Sequence, residues 1–557
     1  MLIRNGRVTG LKEREHALTL DEYSAYWAGL PYWPGTAPGE PSVRRLLARV
    51  AEVGVLDAAP ELCGRYFLAL VHQPTGKCHA FVDGGGMYYG FWAKDAVATS
   101  FLDLARLLGL RRADMDPHAV VEFLNTSMVF FGRTLFPQIR RISWDQVVTF
   151  SAGGEVEVLR KPADDIGAPP RTDFVTHFAE MAADFRNERC SLDLTGGVDS
   201  RLVAALLAHF GLDFEVTVSG VEDHPDVVIS RELAAVLGKE HHFTHHVLEN
   251  LESDLPILFR LSDGMQDVLR LHRLLQHNQQ RIARGASVAI TGDAGNFYKD
   301  FLWMQDFPFY NRKRSNLPRL YDFRIVAMPF PEKALAPAYR PASRDLRSRV
   351  LAGLEDYVDS SNSRTYDKIS YYVKTQGGTG QLFTLSSIIP YYVPLLEPDV
   401  VRTGFHLPRF GRYFNRFQRK LITRYHPALA TVRTTESGTS LSSNALHQWK
   451  DLGRFAGNRL ARLVKKTMQR TVGKTYLQLR IADHPDFLPT IMRSSTAHEL
   501  IGELRDVGIL AEDAEVGRIG PGRVGKLLTL GFLVRHLERA AGSRPIADRA
   551  VLSASGA

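Results

Sequence analysis

The stretch that decides the fold is Cys190-Ser-Leu-Asp-Leu-Thr-Gly196-Gly197-Val-Asp-Ser-Arg-Leu-Val-Ala-Ala-Leu-Leu207. An apolar strand runs into two glycines, and an amphipathic helix follows at once. Glycines let the backbone approach a phosphate closely, and the unpaired amides of a helix N-terminus favour an anion. The pattern predicts a phosphate-binding turn, and a turn that merely joins a strand to a helix is the alternative.

Polar side chains flank the two glycines. Thr195 and Ser200 add hydroxyl donors, whereas the carboxylate of Asp199 would repel a bare phosphate. Asp199 is therefore better explained as a ligand for Mg²⁺ that accompanies a nucleotide.

Strand and helix signals alternate on both sides of this turn. Such alternation predicts βαβ crossovers and a parallel sheet that binds ligands at the carboxyl ends of its strands. The predicted elements are a helix from 174 to 185, strand 191–194, helix 199–210, strand 214–219, helix 226–237 and strand 288–290. The last 170 or so residues are predicted to be largely helical.

The N-terminal third has a different pattern, with strand-like runs joined by short turns. Such runs pair antiparallel. The predicted strands are 62–71, 78–82, 144–150 and 155–159. A segment rich in Pro and Gly, 161–171, predicts a linker, so we place the domain boundary near residue 168, with domains 1–168 and 169–557.

Composition excludes several classes of protein. The 557 residues are 45% hydrophobic and 23% charged, enough to bury two cores. The three cysteines are odd in number and form no CxxC pair, which excludes a disulfide framework and a cysteine-rich zinc site. No apolar run approaches the length of a membrane span, and the N-terminus lacks a secretory signal. We expect a cytoplasmic protein that does not bind membranes.

The net charge of +8 is concentrated in one stretch. Between Lys450 and Arg480 stand nine basic residues and one acidic residue, Asp451. Apolar residues recur there at helical spacing, so the stretch predicts an amphipathic helix with a solvated basic face. Binding of an acidic peptide or RNA is the alternative.

The turn at 195–200 resembles the Ser-Gly-Gly-x-Asp-Ser loop of the ATP pyrophosphatase superfamily, with Thr195 in place of the first serine. These enzymes cleave ATP between the α and β phosphates and leave AMP on a carboxyl or carbonyl group of the substrate. Over roughly residues 60–440 the chain resembles the asparagine synthetase and β-lactam synthetase branch. The further motifs that carry this resemblance are Asp226, Leu237-Gly238, His241-His242, Thr291-Gly-Asp-Ala-Gly-Asn296, Val393-Pro-Leu-Leu-Glu397, 416–422 and Val432-Arg433.

The N-terminal part resembles the glutamine amidotransferase domain of the same branch. The matching stretches are Gly64–Val71 and Phe81–Tyr89. That domain uses an N-terminal cysteine as its nucleophile, whereas this chain has Leu2, and the Asn-Gly-Glu substrate motif is missing. The resemblance therefore implies a degenerate glutaminase-like (Ntn-type) α+β scaffold, as in β-lactam synthetases and lasso-peptide cyclases.

The resemblance also implies roles for individual residues. Mg²⁺ would be held by Asp199 and Asn296, where Asn296 replaces an acid and brings no charge. The phosphates would lie against Leu194, Thr195, Gly196, Gly197, Ser200 and Gly292, and the adenine would border Val218 and Ser219. The two residues that act as general base in β-lactam synthetases correspond to Asp293 and Pro390 here. Because proline cannot accept a proton, Asp293 or Glu436 is the candidate base. Arg433 or Arg201 would supply the cation for amide formation.

These implications predict an enzyme that uses ATP and Mg²⁺ to adenylate a carboxylate and deliver it to an amine, without glutaminase activity, in peptide or antibiotic biosynthesis. The partners would be a carboxylate substrate and an amine acceptor, each a small molecule or a peptide. Two alternatives stand beside it: a non-catalytic homologue that binds a substrate or partner, and an RNA-modifying ATP pyrophosphatase, which the glutaminase-like half does not favour.

Overall fold

A computed structural model describes residues 1–4, 7–162, 166–299, 312–435, 438–441, 484–514, 519 and 521–542, with scattered positions between 449 and 468. The strands are β1 (Leu2–Arg4), β2 (Arg7–Val8), β3 (Glu15–Leu20), β4 (Tyr23–Tyr32), β5 (Cys63–His72), β6 (Lys77–Val82), β7 (Phe91–Ala93), β8 (Ala96–Ala98), β9 (Arg140–Arg141), β10 (Gln146–Phe150), β11 (Val156–Arg160), β12 (Cys190–Asp193), β13 (Phe214–Gly220), β14 (His241–His245), β15 (Val288–Thr291) and β16 (Tyr391–Tyr392).

Helices follow the strands and dominate the C-terminal part. They are α1 (Glu40–Val53), α2 (Val55–Ala58), α3 (Phe101–Leu107), α4 (Pro117–Thr126), α5 (Phe174–Asp184), α6 (Val198–His209), α7 (Pro225–Leu237), α8 (Leu251–Leu261), α9 (His272–Ala283), α10 (Leu317–Leu320), α11 (Arg340–Leu354), α12 (Asn362–Ile369), α13 (Gln376–Ser386), α14 (Pro398–His406), α15 (Arg409–Arg412), α16 (Arg416–Tyr425), α17 (Pro427–Thr431), α18 (Phe487–Arg493), α19 (Ser495–Asp506) and α20 (Val524–Gly542). Within the described residues, no helix has the length and apolar character needed to cross a bilayer.

Two antiparallel sheets build the N-terminal part, in the orders β2-β1-β8-β7-β9 and β11-β10-β6-β5-β4-β3. The hairpin β5–β6 turns at Gly76, whose φ of 65° suits glycine and whose amide donates to the carbonyl of His72. The four strands predicted here are confirmed, with ends shifted by up to two residues. β5 is buried along nearly all of its length, so it forms the centre of the second sheet.

A parallel sheet follows, in the order β14-β13-β12-β15-β16. Asp193 at the end of β12 lies in register with Thr217 of β13 and Thr291 of β15. Three neighbouring strands therefore reach the same edge of the sheet at the same level, where ligands bind in open α/β folds. The predicted parallel sheet and its helices are confirmed.

Helix α6 is buried on almost every side, because it packs against both α5 and α16. Its buried residues include the polar Ser200 and Arg201 as well as the apolar run 202–207, so the helix predicted to be amphipathic is enclosed on nearly every side. The C-terminal part is helical as expected, and α19 packs against α20. Most of the basic stretch between Lys450 and Arg480 lies outside the described residues. One apolar core contains side chains from both ends of the chain, Phe101 and Leu528 among them, so the boundary near residue 168 stays a prediction.

Candidate active site

The turn between β12 and α6 is shaped by its own hydroxyl groups. The amide of Thr195 donates to the Ser200 hydroxyl at 3.2 Å, and the amide of Gly197 donates to the Thr195 hydroxyl at 3.2 Å. The amide of Leu194 donates to the carbonyl of Thr217, which ties the turn to β13. No side chain caps the N-terminus of α6 at Gly197, so the amides of its first turn are open to an anion.

Gly196 is enclosed from two sides. Its amide donates to a carboxylate oxygen of Asp226 at 3.0 Å. Its carbonyl accepts from the amide of Thr435 at 3.2 Å, and a Cβ at position 196 would lie only 2.6 Å from the Thr435 methyl. Only glycine fits this close approach of the segment that carries Thr435.

Two more glycines bring the turn after β15 against α6. A Cβ on Gly292 would lie 2.4 Å from both the Cα and the amide nitrogen of Ser200. A Cβ on Gly295 would lie 2.1 Å from the carboxyl carbon of Asp199. Neither glycine has a positive φ, so the close approach alone requires them. The structure thus places Gly292 beside Ser200 at the start of α6.

Asp199 already has a cationic partner. Its Oδ2 accepts a hydrogen bond from the Lys299 ammonium at 2.7 Å, and its Oδ1 accepts one from the amide of Gln418, which is fully buried. Lys299 was not predicted as a site residue.

Mg²⁺ needs near-octahedral oxygen ligands, usually including one or two carboxylates. Here one carboxylate is bound to an ammonium and an amide, Asn296 offers no charge, and the described residues contain no group of three His, Cys, Asp or Glu able to hold a metal. The prediction of Mg²⁺ held by Asp199 and Asn296 therefore does not fit the residues present.

A buried ionic network supports the end of β12. Arg281, fully buried on α9, pairs with Asp193 at 2.5 Å, and His277 lies 3.1 Å from the same oxygen. Burial raises the pKa of Asp193, but the charge of Arg281 and the hydrogen bond from His277 outweigh it and lower the pKa to about 2. Burial and the charge of Arg281 lower the pKa of His277 to about 4, so this imidazole is neutral at pH 7.

The two arginines predicted to supply a cation already have partners. The guanidinium of Arg201 is buried, and burial lowers its pKa to about 10. It donates to the carbonyl oxygens of Gly196, Leu429, Val432 and Arg433. Arg201 therefore fastens the segment 429–433 to the turn. Arg433 is half exposed and pairs with Glu232 at 3.0 Å.

Of the remaining predicted residues, Val218, Ser219 and Asp293 lie towards the carboxyl ends of the parallel strands, whereas Pro390 lies at the amino end of β16. Val218 and Ser219 end β13 and are nearly buried, and the carbonyl of Ser219 accepts from Arg273 at 3.1 Å. Asp293 follows β15 with an exposed side chain. Pro390 precedes β16, and its carbonyl accepts from the amide of Ala289. Glu436 lies outside the described residues.

A cavity of about 890 Å³ lies between the N-terminal sheets and α12–α13. Aromatic rings stack along it: Phe131 on Tyr357, Tyr357 on Tyr372 and Tyr372 on Trp144, the last pair with ring centres 4.2 Å apart. Its charged lining residues are Arg140, Arg141, Arg160, Lys161, Lys368, Asp145 and Asp356. Bases outnumber acids, which favours an anionic occupant.

The motifs matched in the two halves of the chain contact each other. Arg65 on β5 lies 3.4 Å from Glu397 and 3.6 Å from Asp83, and all three side chains are buried. The amide of Gly64 donates to Glu397 at 3.1 Å. Burial raises the pKa of Glu397 despite the charge of Arg65. This ion pair fixes the N-terminal sheet on the segment before α14.

The three thiols are poor nucleophiles. Burial raises the pKa of Cys78 and of Cys190 to about 12, and it raises the pKa of Cys63 well above its usual value. Since the thiolate is the reactive form, none of them is activated at neutral pH.

Comparison with known proteins agrees with this geometry. Residues 183–444 match the family model of asparagine synthase, whose members are ATP-dependent carbon–nitrogen ligases. The matched region holds the turn at 195–200, the segment 291–296 and Glu397. A search of curated proteins found no match. Residues 183–444, slightly less than half of the chain, are therefore similar to the asparagine synthase family.

Proposed function

We propose that the protein is an ATP-dependent ligase that adenylates a carboxylate and transfers the acyl group to an amine. The observation that carries the proposal is the Gly196-Gly197 turn, which joins the carboxyl end of β12 to the uncapped N-terminus of α6. Backbone amides in this arrangement bind phosphate groups.

The reaction has two steps. A carboxylate oxygen of the substrate attacks the α phosphorus of ATP, and pyrophosphate leaves. The amine then attacks the acyl carbon, AMP leaves with the carboxylate oxygen, and the amine gives up a proton. In the first step the enzyme has to position the carboxylate and ATP and to stabilise the charge of the transition state. No covalent bond between the enzyme and the phosphoryl group is needed.

Different residues are proposed to bind the nucleotide and to assist the reaction. The amides of the first turn of α6 hold the departing pyrophosphate, while the end of β13 at Val218 and Ser219 borders the adenine. Asp293 is the candidate base, because its exposed carboxylate stands at the same edge of the sheet as the turn. Arg201 acts indirectly, since all of its described hydrogen bonds go to backbone carbonyls.

The class of substrate is inferred from the charges that line the cavity. The basic, aromatic cavity beside Trp144 suits an acidic substrate, such as a peptide that carries the reacting carboxylate. The ring of Tyr371, next to Tyr372 in the cavity wall, contacts Phe297, one residue after Asn296, which connects this wall to the turn after β15. The resemblance to β-lactam synthetases and lasso-peptide cyclases supports a role in peptide or antibiotic biosynthesis.

The amine comes from the acceptor rather than from glutamine. The raised pKa values of the thiols of Cys63, Cys78 and Cys190 support this, because glutaminase chemistry of this type needs a thiolate. With ATP present, glutamine should therefore yield neither glutamate nor ammonia.

The test is a screen of amino acids and acidic peptides with ATP, with hydroxylamine as a general amine acceptor. The expected products are pyrophosphate, AMP and a hydroxamate of the substrate in equal amounts. Gly196→Val should abolish them, because its side chain would occupy the space of Thr435. Gly502→Ala is the matched control, since a Cβ there meets nothing within 4 Å. Production of ADP and phosphate would contradict the proposal.

A further inference from the structure

The Asp199 carboxylate has its two oxygens occupied by chemically different donors. The ammonium of Lys299 lies on Oδ2 and the amide of Gln418 lies on Oδ1. On a further side, Gly295 packs so closely that a Cβ there would overlap the carboxyl group. A cation that binds Asp199 would have to share the carboxylate with these neighbours or displace one of them.

The charges of this cluster already balance. One carboxylate faces one ammonium, and the amides of Gln418 and Asn296 are neutral. Among the described residues, no group of three His, Cys, Asp or Glu is placed to hold a metal ion. The arrangement suits one fixed monovalent cation better than a bound metal.

We propose that Lys299 is this fixed cation: its ammonium takes the place of a protein-held divalent ion and binds the phosphates of the nucleotide beside the turn at 195–200. This inference rests on the proposed function, since it names the group that neutralises the phosphates of the same ATP. It makes Lys299 a nucleotide-binding residue and leaves Asp199 as the group that positions it.

The placement of the ion pair supports this role. The side chains of Lys299 and Asp199 are 17% and 21% exposed, so the pair is neither sealed in the interior nor free in solvent. Asp199 lies in the first turn of α6, directly after the Gly196-Gly197 turn. A partly desolvated ammonium at that place is a strong partner for a phosphate oxygen. Gln418, which is buried, holds Asp199 from the far side.

The consequence is that nucleotide binding should not need a divalent ion on the protein. The experiment measures ATP binding to the full-length protein by calorimetry, once in excess EDTA and once in excess MgCl₂. The expected dissociation constants agree within about threefold, since the protein supplies its own cation. Lys299→Met should weaken binding about tenfold or more in both buffers, because a charge-assisted hydrogen bond is lost.

Two variants separate the loss of the cation from damage to the fold. Asp199→Asn/Lys299→Met keeps the cluster neutral but removes the ammonium, so it should also bind ATP about tenfold more weakly. Lys239→Met removes a similar ion pair, 2.6 Å from Asp213 at the opposite edge of the same sheet, and should bind ATP like the original chain.

Three results would overturn the inference. The first is ATP binding by the original chain that is lost in EDTA. The second is unchanged binding by Lys299→Met. The third is tight Mn²⁺ binding without nucleotide, seen by electron paramagnetic resonance and lost in Asp199→Asn. Absence of ATP binding in both buffers, by a folded protein, would instead overturn the proposed function itself.

Discussion

Replacement of Gly292 by alanine is expected to disable the site while the fold survives. The added Cβ would lie 2.4 Å from the Cα and the amide nitrogen of Ser200 and 2.9 Å from the carbonyl carbon of Asp199. These are backbone atoms of α6, so no side-chain rotation relieves the contact. Carbon atoms in contact need about 3.5 Å, so the turn after β15 and the start of α6 must separate by about 1 Å.

The expected losses of stability and of rate follow from that displacement. Overpacking of this kind costs about 2 kcal/mol of unfolding free energy, which lowers Tm by about 2 °C in a chain of 557 residues. A shift of about 1 Å in a catalytic framework costs about 100-fold in rate. The expected phenotype is a folded protein with a modestly lower Tm and a pyrophosphate release rate about 100-fold lower.

The assay combines thermal denaturation with pyrophosphate release under the conditions that give product with the original chain. Gly502→Ala is again the control, because it lies in α19 with open space at its Cβ. It should raise the unfolding free energy by up to about 1 kcal/mol and leave the rate unchanged. If Gly292→Ala kept both the original Tm and the original rate, the close packing of the turn after β15 on α6 would be refuted.

Three further predictions concern the surroundings of the turn. Gly196→Ala should slow pyrophosphate release, and Thr435→Ser in the same chain should restore part of the rate, because it removes the methyl 2.6 Å from the new Cβ; no rescue would contradict that contact. Asp193→Asn should make the unfolding free energy less dependent on pH in acid. The lowered pKa of Asp193 contributes about 2 kcal/mol of stability above about pH 4, and this contribution is lost as the pH falls towards 2. Acid denaturation curves of the variant and the original chain would show the difference. Glu397→Gln should lower the unfolding free energy by about 3 kcal/mol in urea titrations, because buried Arg65 loses one of its two partners; an unchanged midpoint would argue against the ion pair.

The local parts of the site were predictable from the sequence. The strand, glycine turn and helix around residues 190–209 lie in one continuous stretch, so the apolar period and the two glycines were enough to place them. The same holds for β13 with α7, and for the hairpin β5–β6. Each of these elements was predicted with ends within two residues of those observed.

The partners of Asp199 were not predictable in this way. Lys299 and Gln418 stand 100 and 219 residues away along the chain, and only the packing of α16 and of the turn after β15 on α6 brings them to the carboxylate. A single sequence carries no signal for such pairs. The burial of Arg201 was not predictable for the same reason, because the guanidinium donates to backbone carbonyls near residues 429–433, far away along the chain.

Nine of the sixteen observed strands were not predicted, and two of these, β4 and β16, show local reasons why. β4 contains Gly29 and Pro31, both of which weaken a strand pattern, yet it pairs along its whole length with β5. β16 has two residues, too few for any periodicity, and it is recognised only through its pairing with Ala289 and Ile290 of β15. In both places, contacts with a neighbouring strand decide the structure.

The central claim is that the protein adenylates a carboxylate, and the most direct test follows an oxygen atom of that carboxylate into the products. A substrate found in the screen, labelled with ¹⁸O in its carboxylate, is incubated with ATP and the amine acceptor, and the products are analysed by mass spectrometry. Adenylation predicts one ¹⁸O atom per AMP, together with unlabelled pyrophosphate. Label in inorganic phosphate accompanied by ADP would contradict the account, because the carboxylate would then have attacked the γ phosphorus.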